Sequence, residues 1–359
     1  MAYERDNIHR LDPYVPGEQP DAARVIKLNT NENPYPPSPQ VMDAIASVSP
    51  ERLRVYPPPL ASGFRVAAAK AHGVGPSQVI ATNGGDELLR LVITVFCEPS
   101  GPSGAGGVGT TTPSYSLYPV LAQIHDTPIL HVPRGDGFAL PIDLALQWNA
   151  AGCRVGLLVN PHAPTGMLET IETLREIAAA FQGVLVVDEA YVDFAQGNAI
   201  DLVRDELPNV LLLRSMSKGY SLAGLRFGYG LGHADLITSL DKARDSYNTD
   251  ILSQAAATAA LEDPEYAQRT WTQVIGQRTR LTGELRGRGW SVIDSQSNFV
   301  LATPPPDKQS AQAIYVTLKA RGILVRYFNH PRLDDKLRIT IGTQAQVTKL
   351  LAELDAKGP

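Results

Sequence analysis

The chain is poor in several things, and each shortage removes a class of function. Its apolar runs are short, with nothing near the ~20 consecutive apolar residues that cross a bilayer. It has no large excess of one charge: the net charge of −5 argues against a nucleic-acid or anionic-membrane surface. Cysteine occurs twice, at Cys97 and Cys153, with no metal-ligand spacing, so both are expected to be reduced core thiols. The seven histidines show no H-x-x-x-H or other ligand spacing, and no metal site is expected. There is no Gly-Lys dipeptide, so the phosphate loop of a P-loop ATPase is missing. The opening residues, Met1-Ala-Tyr-Glu-Arg-Asp-Asn, lack the apolar segment of a signal peptide, and a cytoplasmic protein is expected.

What is present is an enzyme-like composition, 43% hydrophobic and 19% charged, over 359 residues. That length exceeds what one core usually supports, so a large and a smaller unit are expected. Residues 1–40 are rich in Pro, Asn and Asp and read as an extended arm. A large α/β domain over 41–255 and a small α+β domain over 256–359 complete the division.

Two stretches organise the rest. Val184-Leu-Val-Val ends in Asp188-Glu189-Ala190-Tyr191, and Val210-Leu-Leu-Leu ends in Arg214-Ser215-Met216-Ser217-Lys218. Short aliphatic runs of this kind read as strands buried on both faces. Their polar ends fall where open α/β sheets place ligands. Val155–Asn160, a helix over 169–181 and the Val184 strand form a β-α-β unit, which implies parallel strands with a right-handed crossover. With strands ~4.8 Å apart, Asp188 and Lys218 can face each other across a ring of pyridine size. Upstream, Val79–Thr82 runs into Asn83-Gly84-Gly85-Asp86-Glu87 and an apolar-periodic helix. Its N-terminus suits a phosphate, although Asp86 reads equally well as an N-cap.

Two motifs mislead. Gly104, Gly106 and Gly109 match G-x-G-x-x-G, but a Pro/Gly/Ser loop precedes the match and Thr-Thr-Thr-Pro follows it. The fingerprint carries meaning only between a strand and a helix, so no dinucleotide site is expected. Gly219-Tyr-Ser-Leu-Ala223 falls short of the serine-hydrolase elbow at Ala223, and no strand ends at Gly219. The remaining set is a carboxylate and a lysine at one sheet edge, a phosphate-ready helix end, aromatics and arginines. Pyridoxal phosphate (PLP) uses all of these: a carboxylate for its ring nitrogen, a lysine for its aldehyde, and amides, hydroxyls and a guanidinium for its phosphate.

Ser215-x-Ser217-Lys218 followed by Leu222-Ala-Gly-Leu-Arg226 resembles the lysine motif of fold-type I PLP-dependent aminotransferases. Leu11-Asp-Pro-Tyr14, Leu28-Asn-x-Asn31-Glu-Asn-Pro34, Arg54-x-Tyr56-Pro57, Asn83–Glu87, Asp188–Tyr191, Arg326 and Leu337–Thr340 extend the resemblance over almost the whole chain, in that family's order. Within the fold the similarity is to the histidinol-phosphate aminotransferases. The resemblance implies a large domain with a mixed, mostly parallel seven-stranded sheet flanked by helices, and a ping-pong transaminase of histidine biosynthesis, exchanging the amino group between histidinol phosphate and 2-oxoglutarate. It makes Lys218 the Schiff-base lysine and proton shuttle, Asp188 the partner of the ring nitrogen, and Tyr191 a contact of the ring hydroxyl. It stacks Tyr115 on the ring and assigns the cofactor phosphate to Gly85, Asp86, Ser215, Ser217 and Arg226. Tyr56 would come from a second subunit, implying a homodimer. Tyr14, Asn31, Arg326 and Arg338 would bind substrate.

One departure stands out. The family usually carries Asn-Pro-Thr-Gly where this chain has Ala163-Pro-Thr-Gly166, and that asparagine normally contacts the ring hydroxyl. His162 or Asn160 could substitute, or Tyr191 could act alone. PLP decarboxylases of the threonine-phosphate type and broad aromatic aminotransferases share enough of the pattern to stay as alternatives. Aminotransferase-like sensor domains carry an N-terminal helix-turn-helix unit, which the Pro-rich arm does not resemble.

Overall fold

The computed structural model describes residues 3–14, 17–19, 25–100 and 106–356. Its strands, in chain order, are β1 (Ile26–Lys27), β2 (Val79–Thr82), β3 (Val108–Thr112), β4 (Ile129–Pro133), β5 (Val155–Val159), β6 (Val184–Asp188), β7 (Val210–Ser215), β8 (Gly228–Gly232), β9 (Ser291–Val292), β10 (Phe299–Thr303), β11 (Ile323–Leu324), β12 (Arg326–Tyr327) and β13 (Leu337–Thr340). Seven of them form the main sheet in the order β2-β8-β7-β6-β5-β3-β4. Strand β8 alone runs antiparallel to its neighbours β2 and β7, giving the mixed, mostly parallel sheet expected.

Both faces of this sheet are covered. Leu185 and Val187 of β6 enter one apolar cluster with the helices Ser62–His72, Ile171–Ala180 and Ile251–Glu262. Val186 between them enters another, with the helices Gly84–Phe96, Leu117–Ile124 and Ala234–Ala243. The period of two sends alternate side chains to opposite faces, which is why the strand reads as a continuous apolar run. Several helices start where a side chain takes a free N–H. Thr170, Asp250, Asp263 and Ser310 accept from the backbone of Thr173, Ser253, Tyr266 and Ala313.

A second, antiparallel sheet has the order β12-β13-β10-β9 and packs with the helix Pro264–Gly287 around a third core. The arm joins this part of the chain. Strand β1 pairs in parallel with β11, and Leu28 is buried in the third core. Both thiols are free, Cys153 buried and Cys97 half-buried.

Two strands were not read from the sequence. Residues 108–112, which span the end of the G-x-G-x-x-G match and the threonines after it, form β3 between β5 and β4 of the sheet. Gly109 is paired in register with Gly156, and a Cβ on either would lie within 2.5 Å of the Trp148 indole. The indole lies across two adjacent glycines, so residues that look like loop formers are there for close packing. Gly109, the last glycine of the G-x-G-x-x-G match, therefore sits in a strand and opens no helix; Gly104 lies outside the described residues. Strand β8 was hidden by its alternating Gly228, Gly230 and Gly232. A Cβ on Gly230 would meet Ile80 at 2.9 Å.

Candidate active site

A cavity of about 710 Å³ opens at the carboxyl ends of β5, β6 and β7. It brings together Tyr14, Asn31, Gly85, Asp86, Tyr115, Asp188, Tyr191, Ser215, Ser217, Lys218, Arg226, Arg326 and Arg338. Of the residues proposed from sequence, Tyr56 alone is absent from its walls. It is 77% exposed and stacks on Tyr247 with ring centres 4.3 Å apart.

Asp188 is the last residue of β6 and pairs in register with Leu213 of β7. Its side chain is buried, and its two oxygens accept from the Ala190 N–H (3.1 Å) and the Tyr118 hydroxyl (3.0 Å). Burial raises its pKa to about 6, against the opposing pull of those two hydrogen bonds. Lys218 lies three residues beyond β7. Its amine donates to the main-chain oxygen of Thr30 at 3.0 Å. Burial, assisted by the positive charge of Arg338, lowers its pKa to about 8. A carboxyl pushed up and an amine pushed down, both lining one cavity, mark a site built for chemistry.

The phosphate end is assembled around the start of the helix Gly84–Phe96. Asp86 is in its first turn, but the N-cap residue is Asn83, and no side chain caps it from that position. The Glu87 carboxylate instead reaches back to the Asn83 N–H. The N-cap reading of Asp86 is thus replaced: its carboxylate faces Arg226 Nη2 at 3.6 Å and accepts from the Tyr115 hydroxyl at 3.5 Å. Arg226 sits at φ 52° and points Nη1 to Ser217 Oγ at 3.5 Å. The Ser215 hydroxyl accepts from the Ser217 N–H at 3.1 Å. Gly84 has φ +76°, and a Cβ there would stand 2.9 Å from Arg226 Nη2. The guanidinium lies flat against bare backbone.

At the opposite end, Arg338 donates to the Asn29 carbonyl at 2.9 Å and lies over the rings of Phe299 and Phe328. Its Nε–H is buried without a partner. Among the described residues neither Arg326 nor Arg338 forms an ion pair with an acidic side chain. Tyr191 accepts from Asn31 Nδ2 at 3.1 Å, and Asn31 is itself held by Thr340. Tyr14 meets Tyr115 edge-on at 6.2 Å.

Neither substitute for the missing asparagine is free. His162 is fully buried, shares a hydrogen bond with Thr165 Oγ1 (2.7 Å), and has its other ring nitrogen on the Pro113 carbonyl (2.9 Å). Burial holds its pKa well below the usual range. Asn160 spends its side chain on the backbone of Glu169, accepting at 2.8 Å and donating at 3.3 Å. Ala163 borders the cavity in their place.

Three contacts escaped the sequence. They are the Tyr118 hydroxyl on Asp188, the Thr30 carbonyl under Lys218, and the carbonyl of Gly219, which accepts from Trp271 Nε1 (2.7 Å) and Asn33 Nδ2 (3.2 Å). Backbone acceptors leave no residue-type signal. Tyr118 had one, because a tyrosine buried at the sheet end must place its hydroxyl somewhere.

The donor set fits the expected cofactor. Besides the carboxylate–lysine pair and the helix end with its guanidinium, Ser114 Oγ borders the cavity buried and without a partner. The family profile described as aminotransferase class I and II matches residues 23–354. The chain belongs to that family. It is 44% identical to "Histidinol-phosphate aminotransferase 1" of Nostoc sp. over 98% of this chain and 97% of that one. It is 42% identical to the histidinol-phosphate aminotransferase of Syntrophotalea carbinolica, covering 98% of each. The crystal structure of the Sinorhizobium meliloti histidinol-phosphate aminotransferase in complex with pyridoxal-5'-phosphate superposes with a TM-score of 0.87 at 26% identity, covering 98% of this chain and 96% of that chain.

Proposed function

We propose that the chain is a PLP-dependent transaminase that moves the amino group between histidinol phosphate and 2-oxoglutarate, in histidine biosynthesis. The observation that carries this reading is the pairing of two ends in one cavity. Lys218 and Asp188 stand at or just past adjacent strand termini, and the same cavity holds two arginines that form no ion pair with an acidic side chain among the described residues. PLP, when bound, supplies the electron sink that makes a substrate α-hydrogen acidic.

The side chains have distinct tasks. Asp188 would partner the ring nitrogen and favour its protonated form. Tyr191, with Ala163 where the family's asparagine would stand, would contact the ring hydroxyl. The Gly85 and Asp86 amides, Ser215, Ser217 and Arg226 would hold the cofactor phosphate, and Tyr115 would stack on the ring. With a pKa of about 8, Lys218 is neutral in about a tenth of molecules at pH 7. It therefore has the free pair needed to take the proton from the substrate α-carbon. Arg338 and Arg326, with Tyr14 and Asn31, bind the anionic end of either substrate, a guanidinium fork matching phosphate or carboxylate.

The working unit in this reading is a homodimer. Met42, Leu53, Val55, Leu60 and Tyr56 are exposed within one short stretch of the chain, an apolar surface of the kind that pairs with another copy. In such a pair Tyr56 would reach the neighbour's cavity. Residues 1–40, 41–255 and 256–359 serve as arm, cofactor domain and small domain. No helix among the described residues is long and apolar enough to cross a membrane, and the free, largely buried thiols suit a reducing cytoplasm.

The donor profile of the PLP-loaded protein tests this. Histidinol phosphate with 2-oxoglutarate should yield glutamate. Release of CO₂ from threonine phosphate, which unlike histidinol phosphate has a carboxylate to lose, would move the chain to the decarboxylases, and preference for phenylalanine would make it a broad aromatic aminotransferase.

A further inference from the structure

Tyr118 is fully buried, and its hydroxyl has one acceptor, Asp188 Oδ2 at 3.0 Å. It is set there by the turn that also delivers Tyr115. The helix Leu117–Ile124 begins just after Ser116, and the Tyr118 N–H closes on the Tyr115 carbonyl at 3.2 Å. The two rings then meet edge-on, 5.5 Å apart. One turn therefore supports both the cavity-facing ring of Tyr115 and the carboxylate of Asp188.

The carboxylate needs that support. Among the described residues no basic side chain forms an ion pair with Asp188. The ionisable groups that act on it from neighbouring elements are Asp86, Glu189, Tyr115, Tyr191 and Tyr118 itself. Both neighbouring carboxylates oppose its ionisation, and so does burial. Two hydrogen bonds resist this, the Ala190 N–H on Oδ1 and the Tyr118 hydroxyl on Oδ2. The backbone bond fixes one oxygen. Among the described residues only Tyr118 fixes the other, and with it the rotation of a carboxylate whose terminal torsion is intrinsically broad.

We propose that Tyr118 is a positioning residue that keeps Asp188 ionised and turned toward the cavity, so that the carboxylate meets the cofactor ring in its charged form. This rests on the reading of Asp188 as the partner of the ring nitrogen. The role belongs to the hydroxyl alone, since the aromatic ring would pack the same way without it.

The experiment is a PLP titration of the apoprotein across pH 5–9 for wild type, Tyr118→Phe, Asp188→Asn and the double variant, followed by cofactor absorbance. In Y118F the dissociation constant should rise about tenfold at pH 7, the loss of one hydrogen bond to a charged group. The pH below which binding fails should move up by about one unit, because an Asp188 stripped of this donor protonates more readily. In the Asp188→Asn background, Y118F should add nothing, since both act through one carboxylate. Unchanged affinity and pH dependence in Y118F, or effects that simply add in the double variant, would overturn the proposal. So would a Y118F protein that fails to fold, which would put the hydroxyl's role in stability. A wild-type protein that binds no PLP, or an Asp188→Asn variant that binds like wild type, would instead sink the underlying reading of Asp188.

Discussion

The amine of Lys218 and the carbonyl oxygen of Thr30 lie 3.0 Å apart, although 188 residues separate them in sequence. The arm thus closes over the lysine as a backbone acceptor. Two residues on, Glu32 favours the charged amine, but burial and Arg338 outweigh it. The lysine is held in place while being pushed toward its neutral form.

That balance predicts a pH dependence. Only the neutral amine can attack an aldehyde, so covalent capture of PLP by the apoprotein should accelerate as pH rises and level off above about 8. An ordinary lysine would still be accelerating at pH 10. Replacing Arg338 with Gln removes a neighbouring positive charge and should move the midpoint upward. Stopped-flow absorbance over pH 6–10 measures both.

Asp188 costs stability until its partner arrives. Its folded pKa of about 6 lies above the unfolded value near 4. The native apoprotein therefore binds more protons between those values, and its stability falls as pH rises through that window. The cost at pH 7 is roughly 3 kcal/mol. Asp188→Asn should raise the melting temperature of the apoprotein at pH 7.5 while shrinking the further rise produced by PLP. A destabilised apo variant would show that the charge is compensated in some other way.

Gly84→Ala should damage the phosphate end. The backbone there is left-handed, at a cost of ~1–2 kcal/mol for a residue with a Cβ, and the new methyl would push Arg226 aside. Both weaker PLP binding and a lower melting temperature are expected, by titration and thermal unfolding. Gly63→Ala, at a glycine with open space around it, is the control.

Glu189, next to the central carboxylate, does different work. It is buried, accepts from Arg214 Nε at 2.7 Å and from the Ala199 N–H at 2.7 Å, and does not line the cavity. Glu189→Gln leaves Arg214 as an unpaired buried charge, worth ~3–5 kcal/mol of stability. Denaturant unfolding should register that loss, while turnover per folded molecule stays near wild type.

The strands that carry Asp188 and Lys218 were legible because both their faces are buried, and a continuous aliphatic run can mean little else before a polar cluster. The glycine-rich strands β3 and β8 were not, since their side chains are absent for packing reasons that appear only with Trp148 and Ile80 in place. Residue types at the cavity were legible for the same chemical reason that makes them useful: lysine, carboxylate and arginine announce charge. The partners of those groups were not, because Thr30 and Gly219 act through carbonyls that every residue has. The fate of His162 was likewise closed to sequence, as only the fold brings the Pro113 carbonyl to its ring.

The central claim is that Lys218 is the residue that carries the cofactor. Borohydride reduction of the PLP-loaded protein, followed by proteolysis and mass spectrometry, tests it directly. The account predicts one modified peptide, with the pyridoxyl group on Lys218, and none after Lys218→Ala. Label on another lysine in the wild type, or a Lys218→Ala protein that keeps its label and turnover, would contradict it.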